Sequence, residues 1–141
     1  MRQFLTRLKI SLLLIALSAC TTSTGIDISQ NHIDQSFYKQ QNNFYFYRTA
    51  CHAGAIANII LEVNGSNVGI LGSGEILVSE IIDDTSNIVA YGDLNAQNYF
   101  LYLETRSKES RYLIASYCNK FSRLKIVEKP LGEWLQIIKN D

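Results

Sequence analysis

Asn64-Gly65 stands between two short apolar runs, Ile59–Val63 and Asn67–Leu71. Both central residues of a type I′ turn need positive φ, so this dipeptide predicts a tight β-hairpin. A chain so punctuated folds into paired strands, and the same punctuation recurs along the sequence. Phe44–Arg48 reads as a first strand with aromatic side chains on both faces. Gly72-Ser73-Gly74 turns the chain into Glu75–Ile81, and Asp83-Asp84 turns it again into Asn87–Tyr91. Tyr99–Glu104 and Arg111–Tyr117 read as a second hairpin, joined by the charged tip Arg106–Ser110. Leu124–Glu128 reads as the last strand. After Pro130, the residues Leu131, Trp134, Leu135 and Ile138 recur at helical spacing and predict a short C-terminal helix. Eight tyrosines, six phenylalanines and a single proline suit pleated sheets. The expected fold is all-β: an antiparallel β-sandwich of seven to eight strands, prealbumin/immunoglobulin-like, with a short C-terminal helix.

The first residues have the parts of an export signal. Arg2, Arg7 and Lys9 form a positive stretch with no acidic residue, and Ile10–Leu17 is apolar apart from Ser11. That run is about half of the roughly 20 residues a membrane-spanning helix needs. Leu17-Ser18-Ala19-Cys20 resembles the lipobox of bacterial lipoprotein precursors. The resemblance implies cleavage before Cys20 and diacylglycerol on its thiol, and two or three acyl chains make membrane release very slow. Thr21, where retention at the inner membrane favours aspartate, implies an outer-membrane location facing the periplasm. The domain reading is therefore a signal peptide over 1–19, a flexible polar tether over 20–43 and a β-sandwich over 44–141, with part of Asp34–Gln41 able to form a short helix.

Removing 19 residues from 141 leaves 122, the size of one domain. Three of the thirteen basic residues lie in the leader, so ten face thirteen acidic ones in the remainder. Without a basic patch, nucleic acid is not an expected partner.

With Cys20 acylated, Cys51 and Cys118 are left, and an even pair in an oxidising compartment reads as a disulfide. Two separate buried thiols and a reactive Cys51 are the alternatives. Cys51-His52 is the one adjacent nucleophile–base pair, but neighbours on an extended backbone point to opposite faces. His32 and His52 are the only histidines, and no ligand spacing for zinc surrounds them. Asp83, Asp84 and Asp93 read as turn aspartates, since no calcium-binding loop encloses them. Gly69–Gly74 carries a G-x-x-G-x-G pattern, but it joins two strands, whereas a dinucleotide loop opens a helix. No metal or cofactor is expected. Tyr45, Tyr47, Tyr99, Tyr102, Tyr112 and Tyr117 either fill and rim the sandwich or line a ligand groove.

Phe46-Tyr47-Arg48, Gly54-Ala55, Val63-Asn64-Gly65-Ser66-Asn67-Val68-Gly69 and Gly74-Glu75 together resemble uncharacterised small bacterial lipoproteins with a V-N-G-x-x-V-G hairpin domain. The hairpin is similar to the PEGA surface module. That resemblance implies a β-sandwich and carries no catalytic residues. The functional expectation is a non-enzymatic, lipid-anchored envelope protein that engages an envelope protein partner, with strand addition at an exposed sheet edge as one means. A binding module for a small envelope glycan or peptide is the alternative, and a thiol-dependent enzyme comes third.

Overall fold

The computed structural model describes residues 24–27, 36–51, 57–93, 97–119 and 121–141. Within them the elements run β1 (Ile26–Asp27), a 3-10 turn (Phe37–Lys39), β2 (Asn43–Arg48), β3 (Ile59–Val63), β4 (Ser66–Leu71), β5 (Glu75–Glu80), β6 (Thr85–Gly92), β7 (Asn98–Glu104), β8 (Arg111–Ser116), β9 (Lys125–Lys129) and α1 (Leu131–Asn140). Two sheets pack face to face, ordered β1-β5-β2-β8-β9 and β4-β3-β6-β7. The all-β sandwich with a C-terminal helix is thus the observed architecture.

The Asn64-Gly65 turn forms as its sequence dictates, with φ of 52° and 78°. β3 and β4 pair antiparallel across it, Val63 opposite Ser66. The second expected hairpin does not form. β7 pairs with β6, while β8 lies in the other sheet, between β2 and β9. The segment after Glu104 crosses from one sheet to the other. β8 then runs parallel to β2, Phe44 opposite Arg111 and Arg48 opposite Ala115, the one parallel pair among the described residues. Such a pair needs a long crossover, and strands β3 to β7 provide it.

The expected tether over 20–43 is also narrower than its polar composition suggested. Ile26 and Asp27 pair with Ile76 and Glu75 at the edge of β5. Thr24 and Gly25 both donate to Ile70 O, at 2.7 and 3.1 Å. Thr24–Asp27 therefore closes the seam between β5 and β4. Tyr38, in the 3-10 turn, is buried. Both stretches belong to the folded body. The leader over 1–19 and Cys20 lie outside the described residues.

The core has two layers. Phe44, Phe46, Ile59, Leu61, Ile88, Leu113 and Ile126 fill the space between the sheets. Tyr45, Tyr47 and Ile76 point to the other face of the five-stranded sheet and pack with Tyr38 under Trp134 of α1. β2 thus alternates phenylalanine into one core and tyrosine into the other. Burying a large aromatic on each face makes it the central strand. Trp134 is fully buried and its indole donates to Leu113 O at 3.2 Å, which pins the helix to β8.

The tyrosines beneath α1 keep their hydroxyls satisfied. Tyr45 donates to Phe37 O (2.8 Å), Tyr112 to Tyr38 O (2.5 Å) and Tyr47 to an Asp141 carboxylate oxygen (2.7 Å). Burial pushes the Tyr38 phenol up to about 12 and raises those of Tyr45 and Tyr112. Tyr47 is raised by burial, then by its hydrogen bond to the Asp141 carboxylate and by that group's charge. The folded state therefore favours neutral phenols, whereas the unfolded chain ionises them near their ordinary value of 10.0. This contribution is complete below that pH and is lost as pH rises through the folded values. A series of thermal melts is expected to be flat up to about pH 9 and to fall from pH 10 upward, in step with phenolate absorbance. A melting temperature unchanged at pH 12 would contradict the buried phenols.

Candidate functional site

β7 is where the fold leaves chemistry uncovered. Its residues alternate: Tyr99, Leu101 and Leu103 pack against the inter-sheet core, and Asn98, Phe100, Tyr102 and Glu104 turn away from it. Phe100 and Tyr102 are 67% and 66% exposed, unusual for two aromatic rings one pleat apart. Beside them the outer face continues with Val89 opposite Phe100 and Asn87 opposite Tyr102. Glu62 lies next to Val89 and accepts a hydrogen bond from the Tyr91 hydroxyl at 3.1 Å, an interaction that raises the Tyr91 pKa.

The same residues present the open backbone. In an antiparallel ladder, successive residues alternately bond the neighbouring strand and point away from it. Gly92 donates to Gln97 O and Thr105 to Asp84 O, which fixes the phase. Tyr99, Leu101 and Leu103 therefore bond β6, and Asn98, Phe100, Tyr102 and Glu104 face outward. Arg111 covers the Glu104 carbonyl at 2.6 Å and holds Glu128 at 2.9 Å. On the side away from β6, Asn98 to Tyr102 has no strand neighbour among the described residues.

The other outermost strands are short, bulged or flanked by lysine, and β1 covers only Glu75 and Ile76 of β5. β1 has two residues, and β4 is bulged against β3 and covered by Thr24 and Gly25. β9 begins and ends in lysine. Short strands, bulges and edge lysines all discourage pairing with another chain. β7 has none of these. At its Asn98 end, an open cleft of about 520 Å³ separates it from the start of β9, lined by Gln97, Asn98, Tyr99, Arg123, Leu124 and Lys125.

The residues singled out from the sequence are distributed differently. Cys51 and Cys118 are bridged, with Cα atoms 5.5 Å apart. Cys51 is thereby not a free nucleophile, and His52 lies outside the described residues, as do His32 and Gly54-Ala55. Tyr45, Tyr47 and Tyr117 are buried; Tyr99 and Tyr112 are half-buried; Tyr102 alone of that set is open. They line no common groove. Asp83 accepts from the Asn64 amide at 2.7 Å, clamping two neighbouring turns, and Asp93 is exposed. In the Gly69–Gly74 turn the Glu75 carboxylate accepts from Gly72 N at 2.8 Å, so the loop is closed on itself. Among the described residues no three His, Cys, Asp or Glu side chains converge.

Two residues escaped the sequence reading. Phe100 was readable: Asn98–Glu104 is apolar in both phases and has no Lys or Pro. Arg48 was not. It is fully buried and donates to Ala57 O (2.6 Å), Leu71 O (3.1 Å) and Tyr117 O (2.5 Å), tying both sheets together beside the disulfide. Burial lowers its pKa, which Asp93 and Glu75 partly counter. No protein-family model matches the chain, and no curated protein or solved structure matches it either.

Proposed function

We propose that this is a lipid-anchored, non-enzymatic protein-interaction module of the bacterial cell envelope, held at Cys20 and facing the periplasm from the outer membrane. The Leu17-Ser18-Ala19-Cys20 sequence supports the anchor. The unprotected edge of β7, with Phe100 and Tyr102 on it, carries the interaction. An extended segment added there gains main-chain hydrogen bonds and two aromatic contacts at once. Three residues separate Cys20 from Thr24, so at roughly 3.5 Å per residue the body stays within about 14 Å of its anchor point. The interaction surface thus works close to the bilayer.

A photoreactive phenylalanine at position 102, in the full-length chain in its own envelope, is expected to give a reproducible protein adduct. The same probe at Asn67, exposed on β4, is the control. Phe100→Lys should abolish the adduct while changing stability by no more than about 0.5 kcal/mol, as surface substitutions do. An adduct pattern at 102 no different from that at 67 would remove the reading.

A further inference from the structure

The β7 edge is complementary to itself. An antiparallel pair of identical strands has a two-fold axis between them, so each contact occurs twice. Only Asn98, Phe100, Tyr102 and Glu104 turn outward, which restricts the registers in which two copies can meet. With the axis at Leu101, Phe100 lies opposite Tyr102 of the second copy and Tyr102 opposite Phe100, each pair exchanging both main-chain hydrogen bonds. Both rings of each pair stand on the exposed outer face. Aromatic pairs are among the more stabilising cross-strand neighbours.

Charge selects the same register. It sets Glu104 of the second copy opposite Asn98, the end of β7 that borders Arg123 and Lys125 across the open cleft. Moving the register by two residues, so that Phe100 faces Phe100, takes the carboxylate away from those cations. We propose that the chain pairs with a second copy of itself, β7 to β7 in antiparallel register about Leu101, joining two four-stranded sheets into one. This deepens the proposed function and rests on it in one respect. So short an edge buries less area than a stable complex in solution needs, and confinement of both copies to one bilayer raises their effective concentration.

The test uses the full-length chain in phosphatidylethanolamine–phosphatidylglycerol vesicles, with the photoreactive phenylalanine at position 102. The expected product is a covalent dimer whose cross-linked peptide contains Phe100 of the second chain. Glu104→Lys should lower the dimer yield about threefold, the size of an exposed ion pair, and Lys125→Glu in the same chain should restore it. Neither change touches the aromatic pair, so a merely structural role for Glu104 predicts no rescue. A dimer cross-linked elsewhere than β7, or only a monomer while intact mass shows Cys20 acylated, overturns self-pairing and leaves the anchor standing. A chain found bare at Cys20 that still cross-links at Phe100 removes the anchor and supports self-pairing.

Discussion

Arg48→Ala is expected to lower the unfolding free energy by about 4 kcal/mol, the scale of losing a buried hydrogen-bond network. The guanidinium sits at the end of β2 with no exposed surface. Its three carbonyl acceptors come from the lead into β3, the end of β4 and the residue after β8. One side chain thus ties backbone from both sheets at this end of the sandwich. Truncation removes three hydrogen bonds from a charged donor, at about 1.5–3 kcal/mol each before relaxation. Removing the charge also removes its own desolvation cost, which keeps the net loss well below the sum. Arg48→Lys should recover only part, because one ammonium cannot span acceptors that the planar fork reaches from two nitrogens. Urea denaturation is the measurement, and the midpoint should fall with little change in slope. A loss below about 1 kcal/mol for the alanine variant would mean that water replaces the guanidinium and that the sheets do not depend on it.

β2 and β7 show what the sequence could and could not reveal. Both alternate large apolar residues in both phases: Phe44-Tyr45-Phe46-Tyr47 in one, Tyr99-Phe100-Leu101-Tyr102-Leu103 in the other. Local pattern makes each a strand, and both are strands. It does not say whether the second face is covered. α1 and the 3-10 turn cover β2, and among the described residues nothing covers β7. That difference is set by where the C-terminal helix docks, a long-range fact with no local signature. Turn chemistry fixed Asn64-Gly65, whose geometry depends on two residues. It misled at Arg106–Ser110, because a polar connection of that length serves a sheet-to-sheet crossing as well as a hairpin. The Thr24–Asp27 segment was hidden for another reason. Its pairing depends on a gap at Gly69, where a Cβ would come within 2.4 Å of Thr24 Oγ1. The sequence around Thr24 is polar and aperiodic, and only the receiving strand explains why it is held.

Breaking the Cys51–Cys118 bridge is expected to cost about as much as losing Arg48. The bridge closes a separation of 67 residues. In the chain-entropy treatment, freeing such a loop adds roughly 4 kcal/mol of unfolded-state entropy. The pairing of β2 with β8 carries the same offset, since Phe44 faces Arg111 and Arg48 faces Ala115. Thr49 N continues the ladder to Ala115 O. The cysteines are therefore one further rung of a parallel ladder, and the bridge fixes the register of the pairing that sequence spacing alone assigned to the wrong partner. Cys51→Ser, Cys118→Ser and the double variant should each lower stability by about 4 kcal/mol and the melting temperature by roughly 15 °C. The double variant should be no worse than either single, because both remove the same cross-link. The denaturant slope should rise as the unfolded chain expands. Arg48 donates toward Cys51 Sγ at 3.9 Å and to the carbonyl of the residue before Cys118. Combining Arg48→Ala with Cys51→Ser should then cost less than the two separate losses added together, because the sites share that carbonyl. Strict additivity would mean that the bridge and the buried guanidinium hold the two sheets independently.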